Sequence, residues 1–179
     1  MLKDIKEVLF SEETINEKIK EMGKKITKDY EGKNLIIIGI LKGSVLFAAD
    51  LIKNINMYCE IDFMAVSSYG YSTESSGVVR ILKDLDHSIE GKDVLIVEDI
   101  VDSGITLDYL LKYLKGRNAK SIEIASLLNK PLRRKVDIDV KYIGFEAPDE
   151  FIVGYGIDYA EKYRNLPFIG TLKPEVYEK

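Results

Sequence analysis

Apolar and polar positions follow one another along the chain in blocks that predict alternating strands and helices. Runs of consecutive apolar residues predict buried strands, and apolar residues three and four apart predict helices with one buried face. The runs predict strands at 35–40, 58–66, 78–82, 94–97, 122–128 and 140–145, with a short one at 151–155. The helical spacing predicts helices that follow Ser11, cover 45–55 and run from 107 to near 116. This alternation predicts an α/β fold with a mostly parallel sheet flanked by helices.

Length and composition favour a single globular domain over residues 1–179, with 46% hydrophobic and 31% charged residues. A formal charge of −4 argues against nucleic acid as the main partner. The single cysteine suits a reducing compartment. Because no apolar run has the length of a membrane span and the N-terminus lacks a signal-peptide core, we expect a cytoplasmic protein without a membrane partner.

The segment 94–107 carries the most informative chemical pattern. The apolar run 94–97 is followed at once by Glu98 and Asp99. Open α/β sheets bind their ligands at the carboxyl ends of the strands, which is where these two side chains are expected. Carboxylates there can accept hydrogen bonds from a ribose diol or help to hold hydrated magnesium.

The loop that follows has the composition of a phosphate-binding turn. Asp102, Ser103, Gly104 and Thr106 precede a helical pattern. The N-terminus of a helix presents unpaired N–H groups to anions, glycine permits close approach of the backbone, and the hydroxyls add donors. With the carboxylates, this loop predicts a site for a phosphorylated pentose. An N-cap beside solvated strand-end charges is the alternative interpretation.

This ordered string resembles the loop of the type I phosphoribosyltransferases that binds 5-phosphoribosyl pyrophosphate (PRPP). The resemblance implies that Glu98 and Asp99 bind the ribose diol and Mg²⁺. It also implies that residues 102–106, Ile105 included, bind the 5′-phosphate, with Asp102 as the catalytic general acid or base.

A second junction of strand, loop and helix contains Lys42, Gly43 and Ser44. The lysine offers positive charge, and the two small residues offer backbone donors for a second phosphate group. Alone, the string could be a surface turn. In purine phosphoribosyltransferases a similar string binds pyrophosphate, often with a cis peptide before the lysine. The resemblance therefore implies that Lys42 and Gly43 bind pyrophosphate.

The segment 67–77 contains five serines and two glycines and has little to bury. Such a loop between two strands is expected to be mobile. The family has a lid with a Ser-Tyr pair, which Ser68 and Tyr69 match, and a lid would exclude water from the reacting sugar. A flexible hairpin without a role is the alternative.

Residues near the C-terminus suit recognition of a purine, which needs an aromatic face and fixed hydrogen-bond partners at its edge. Phe151 could stack on the ring, and the backbone of Ile152 could contact its edge. Lys130 follows an apolar strand and could donate to an oxygen at position 6 of the base. Taken singly, these residues could equally be core or surface.

The C-terminal block from Phe151 to Tyr159 resembles the purine branch of the family, which acts on hypoxanthine and guanine. That resemblance implies a hood over the base, formed by the N-terminal and C-terminal segments. It also implies that Asp158 helps to position a second Mg²⁺ and that Arg164 binds pyrophosphate. The implied activity is transfer of 5-phosphoribosyl from PRPP to N9 of a 6-oxopurine, by a homodimer or homotetramer.

A different class of function shares this fold. Some of its members are regulators that bind RNA or DNA and use the PRPP site as a sensor. The acidic composition weighs against that function, and Lys130 with Phe151 favours a purine over uracil.

Overall fold

The computed structural model describes residues 1–68 and 79–178 of the chain. Its strands are β1 (Ile5–Phe10), β2 (Leu35–Leu41), β3 (Glu60–Ser68), β4 (Val79–Lys83), β5 (Asp93–Val101), β6 (Ser121–Asn129), β7 (Tyr142–Glu146), β8 (Ile152–Val153) and β9 (Ile169–Leu172). Its α-helices are α1 (Glu12–Asp29), α2 (Val45–Lys53), α3 (Ile105–Lys115) and α4 (Pro174–Tyr177). Short 3₁₀ turns precede β1 and follow β6.

Six strands form one sheet in the order β4-β3-β2-β5-β6-β7. All neighbouring pairs are parallel except β3 and β4, which are antiparallel at one edge. The predicted α/β class with a mostly parallel sheet is therefore confirmed. The chain leaves β2 towards β3 on one side and leaves β5 towards β6 on the other, so the sheet has a switch point between β2 and β5.

Helices cover both faces of this sheet, which explains why its central strands are continuous apolar runs. One face packs on α1 and α2, with Ile19, Phe47 and Leu95 in the same buried cluster. The other face packs on α3, where Ile96 and Leu110 are fully buried. Every residue of β2 up to Ile40 is buried as a result.

A second sheet of three antiparallel strands, β1-β9-β8, joins segments from the two ends of the chain. The sequence pattern did not predict β1 or β9. β1 is largely exposed at its middle residues, and β9 has only four residues, so neither gives a strong periodic signal. The predicted strand at 151–155 is shorter in the structure. That these segments act as a hood over a base stays a prediction.

Element boundaries agree with the sequence within a few residues. Ser11 caps α1, where its Oγ accepts a hydrogen bond from the Thr14 N–H at 3.2 Å. The helix predicted at 45–55 ends at Lys53, and the strand predicted from 58 begins at Glu60. Among residues 1–68 and 79–178, no helix combines the length and the apolar character that crossing a membrane requires.

Gly23 lies where α1 approaches the end of α2 on one face of the sheet, and its substitution tests how close this contact is. Helix propensity alone predicts that Gly23→Ala stabilises the protein by about 1 kcal/mol. However, a Cβ at this position would lie 2.5 Å from the backbone oxygen of Asn54, just after α2. We therefore expect Gly23→Ala to lower the free energy of unfolding by about 1–3 kcal/mol in urea denaturation. A more stable variant would show that the helices are not in contact there.

Candidate active site

Two of the predicted segments meet at the carboxyl ends of β2 and β5. Glu98 and Asp99 lie in the last half of β5, and the loop from Leu41 to Ser44 follows β2 beside it. Open α/β sheets bind ligands in the crevice at such a switch point. The sheet order thus places the predicted ribose and pyrophosphate residues next to each other.

Gly43 forms the contact between these segments. A Cβ on Gly43 would lie 1.8 Å from Oδ2 of Asp99, so the loop backbone is directly against that carboxyl group. On its other side, a Cβ on Gly156 would lie 2.0 Å from the carbonyl oxygen of Gly43. Gly156 has a φ of 98°, a conformation that glycine adopts without strain. Only glycines permit this approach of three segments.

The peptide bond between Leu41 and Lys42 is cis, as the family resemblance implies. Lys42 extends into solvent, with 69% of its side chain exposed. Ser44 is buried and its hydroxyl donates to the carbonyl oxygen of Ile40 at 2.7 Å. Ser44 therefore closes the turn and leaves Lys42 and the backbone of Gly43 for a ligand.

The two adjacent carboxyl groups on β5 are in an environment that disfavours their charge. Burial and the charge of Asp99 raise the pKa of Glu98 well above its ordinary value. Burial also raises the pKa of Asp99 to about 6, although the N–H of Ile100 donates to its Oδ1 at 2.8 Å. Hydroxyl donors or a cation would relieve this cost, so the pair is suited to a polyhydroxyl or metal-bearing ligand.

The predicted phosphate loop opens α3. Gly104 has a φ of 81° and is the N-cap residue, and Ile105 begins the helix. This loop, with Ser103 and Thr106, lines a cavity of about 110 Å³ that Glu98 also borders. The first N–H groups of a helix have no partner within it, so this cavity presents donors and a positive dipole end.

Asp102 lies between this cavity and a second one, of about 170 Å³, on the side of Lys130. Its Oδ1 is buried and has no hydrogen-bond partner within the described chain. Its Oδ2 lies 3.8 Å from Nη1 of Arg133, which also pairs with Asp149. An unpartnered buried carboxylate oxygen is costly unless a ligand completes it.

The second cavity contains the residues predicted to contact a base. Lys130 is 6% exposed and its Nζ donates to the carbonyl oxygen of Glu150 at 2.7 Å. Burial lowers the pKa of its ammonium group. Ile152 is buried in β8, and Phe151 next to it keeps 44% of its surface exposed while stacking on Tyr177 at 4.4 Å.

The segment after β8 brings Arg164 back towards Lys42. Nη1 of Arg164 donates to the carbonyl oxygen of Gly156 at 2.8 Å, and Nη2 lies 2.8 Å from Oδ1 of Asp158. Nε of Arg164 is buried without a partner in the described chain. Asp158 therefore orients the guanidinium group, which still has N–H donors without a partner in the described chain.

The structure also assigns contacts that sequence reasoning missed. The charge of the basic run 133–135 is typical of a solvated face, although it would also suit contact with a ligand phosphate or a partner subunit. In the structure Arg134 donates to Oδ1 of Asn129 at 2.5 Å and to the carbonyl oxygen of Asp102 at 3.2 Å. Arg134 is therefore held by the site rather than by solvent, whereas Arg133 stays 47% exposed while it lies near Asp102 and pairs with Asp149. The signal was their position five residues or fewer after a strand that ends beside Asp102.

Two predicted features, a lid and a metal site, have a different outcome from the residues above. The lid at 67–77, with Tyr69 and the side chain of Ser68, lies outside the described residues. Within the described ranges, no three carboxylate, histidine or cysteine side chains converge on one point. Glu98 and Asp99 form one acidic pair, and Asp158 pairs with Arg164 instead. A metal ion at either place would need ligands from substrate or water.

The raised pKa of Asp99 predicts a stability change in the ligand-free protein. Because the pKa in the folded state is about 6 and the ordinary value is 3.8, the contribution of Asp99 to stability is greatest below pH 4 and is lost as the pH rises through 6. Asp99→Asn should therefore raise Tm at pH 8 by several degrees, for about 1–3 kcal/mol. The gain should shrink at pH 5.

Asp139→Asn, at an exposed position, is the matched control for Asp99→Asn and should leave Tm within about 1 °C at both pH values. An Asp99→Asn variant that is less stable than the parent at pH 8 would show that ionised Asp99 is well accommodated in the fold.

Comparison with known proteins agrees with this geometry. Residues 9–160 match the family described as the phosphoribosyl transferase domain. The chain is 59% identical over 178 residues to the hypoxanthine-guanine phosphoribosyltransferase of Bacillus subtilis (strain 168), with 99% of each chain covered. A solved hypoxanthine phosphoribosyltransferase from Staphylococcus aureus superposes with a TM-score of 0.97 at 58% identity, covering 100% of this chain and 97% of that one. The chain therefore belongs to the phosphoribosyl transferase family, in its hypoxanthine-guanine branch.

Proposed function

We propose that this protein transfers a 5-phosphoribosyl group from PRPP to N9 of hypoxanthine or guanine, giving IMP or GMP and pyrophosphate. The observation that carries the proposal is the contact of Gly43 with both Asp99 and Gly156. This contact brings a diol site, an anion site and the C-terminal block to one crevice. A sensor that only bound PRPP would not need the base cavity beside them.

The sugar and its 5′-phosphate would occupy the end of β5 and the start of α3. The N–H groups at the start of α3, with the hydroxyls of Ser103 and Thr106, would bind the phosphate. Glu98 and Asp99 would accept hydrogen bonds from the two ribose hydroxyls. These bonds would relieve the burial cost that raises the pKa of both carboxyl groups.

The pyrophosphate would lie between Lys42, the backbone of Gly43 and Arg164. Lys42 is largely exposed, and Nε of Arg164 has no partner within the described chain, so each cation can exchange its ion pair with a protein carboxylate for an anionic ligand. Two cations and a backbone N–H from separate segments would hold both phosphoryl groups of the leaving group.

The base would enter the cavity beside Asp102 and Lys130. The ammonium group of Lys130 would donate to the oxygen at position 6, the backbone of Ile152 would contact the edge, and Phe151 would stack on the ring. An amino group at position 6, as in adenine, would face a donor and leave both groups unpaired. The cavity therefore favours 6-oxopurines.

Asp102 is the residue that would move the proton. As the bond to pyrophosphate breaks, positive charge develops on the ribosyl centre and N9 of the base attacks it. Oδ1 of Asp102, unpartnered in the described chain, would bind N7 and accept its proton while the base becomes neutral. Arg133 near Oδ2 would keep the carboxylate oriented towards the base.

The donor set is compatible with Mg²⁺ as a cofactor. Glu98 and Asp99 offer hard oxygen ligands with uncompensated burial, and Asp158 would help to position a second ion. When bound, Mg²⁺ would supply charge that neutralises the leaving pyrophosphate. Removal of divalent cations should therefore abolish turnover.

Three further expectations complete the proposal. Ser68 and Tyr69 would belong to a lid that excludes water from the reacting sugar. The protein would assemble as a homodimer or homotetramer, since Val45 and Leu46 beside the Lys42 loop keep 39% and 37% of their surfaces exposed. It would act in the cytoplasm on PRPP and 6-oxopurines, without nucleic-acid or membrane partners.

Base selectivity tests the function directly. The protein with PRPP and Mg²⁺ should release pyrophosphate with hypoxanthine or guanine, and at least about a hundredfold more slowly with adenine. A coupled pyrophosphate assay with each base separately gives kcat/KM. Equal turnover of adenine would contradict the role of Lys130. PRPP binding without turnover of any base would favour the alternative function, a regulator that uses the PRPP site as a sensor.

Asp102→Asn tests the proton-transfer role. The amide keeps the shape but cannot accept a proton, so kcat should fall by about a hundredfold to ten-thousandfold while the fold is retained. Asp86→Asn, at a position 67% exposed and three residues after the end of β4, is the matched control. Normal turnover by Asp102→Asn, with an unchanged circular dichroism spectrum, would reduce Asp102 to a part of the phosphate loop.

A further inference from the structure

One acidic side chain in the crevice has no role in the mechanism above. Glu161 spans the two cations assigned to pyrophosphate. Its Oε2 lies 2.8 Å from Nζ of Lys42, and its Oε1 lies 3.0 Å from Nη2 of Arg164. The two carboxylate oxygens thus bind the two cations separately, which is the way two phosphoryl groups of a diphosphate would bind them.

The local backbone is built to project Glu161 into this position. Ala160 and Glu161 both have positive φ angles, of 51° and 59°, which non-glycine residues adopt only when their surroundings hold them. The N–H of Glu161 donates to Oδ2 of Asp158 at 2.8 Å, and Asp158 also holds Arg164. Asp158 therefore orients both Arg164 and Glu161.

The contact with Lys42 links segments that are 119 residues apart, yet it adds little to the fold. Both side chains are largely exposed, Lys42 by 69% and Glu161 by 65%. Exposed ion pairs contribute little to stability because solvent screens them. Because the Lys42–Glu161 ion pair adds so little stability, the strained backbone that holds Glu161 there is better explained by an effect on anion binding between Lys42 and Arg164.

We propose that Glu161 is an internal competitor of pyrophosphate, which lowers the affinity of the Lys42–Arg164 subsite for diphosphates. The inference rests on the proposed function, because that function assigns the subsite. A diphosphate that enters must displace the carboxylate from both cations, and the carboxylate regains them when the product leaves. Glu161 is thus a positioning residue that acts through Lys42 and Arg164, and it promotes release of the product.

Glu161→Gln removes the charge and keeps the shape. Titration of pyrophosphate with Mg²⁺ into the full-length protein, followed by calorimetry, should show binding about two- to fivefold tighter than in the parent, the range that an exposed ion pair allows. KM for pyrophosphate in the reverse reaction should fall by a similar factor, with KM for IMP unchanged. Glu60→Gln is the matched control, since Glu60 pairs with Lys92 at 2.6 Å at the start of β3.

A double-mutant cycle separates competition from a general structural effect. In a Lys42→Met background the gain from Glu161→Gln should shrink, because half of the contact that it releases is already absent. Thermal melting should place all of these variants within about 2 °C of the parent.

The outcomes distinguish the inference from the function on which it rests. If Lys42→Met weakens pyrophosphate binding but Glu161→Gln leaves it unchanged or weakens it, the subsite stands and the competitor role is overturned. If Lys42→Met and the parent bind pyrophosphate equally, the subsite itself is wrongly assigned and the inference is overturned with it.

Discussion

The site depends on two adjacent carboxyl groups held at the end of a buried strand. β5 is a buried apolar run from Val94 to Val97, and the next two positions are Glu98 and Asp99. Burial at the end of this strand raises the pKa of both acids. The ligand-free protein therefore carries an electrostatic cost that hydroxyl donors and a cation would relieve. This is a stability cost retained at a functional site.

The other parts of the site are positioned by that strand. Gly43 lies against Asp99, and Lys130 follows the strand that pairs with the end of β5, where its N–H donates to the carbonyl oxygen of Val101 at 2.9 Å. The strand order thus converts residues far apart in the chain into one crevice. Charges of both signs then alternate across it, from the acidic pair to Lys42 and Arg164, with Glu161 between the two cations.

Much of this arrangement could be predicted from sequence because it is encoded locally. Apolar runs and the loops that follow them predicted β2, β5 and β6, and the string 98–106 predicted a sugar-phosphate site. β1 was missed because its middle residues are exposed, and β9 was missed because four residues are too few for a periodic signal. The contacts of Arg133 with Asp102 and of Glu161 with Lys42 were missed because the conformations of separate loops determine them.

Carboxyl-carbon NMR of the ligand-free protein tests the central claim most directly. A pH titration of ¹³C-labelled aspartate carboxyl groups should contain one resonance with a midpoint near pH 6, absent from Asp99→Asn, because burial raises the pKa of Asp99. With PRPP and Mg²⁺ bound, that midpoint should move well below 6. A ligand-free protein in which every aspartate titrates near or below its ordinary value would contradict the account.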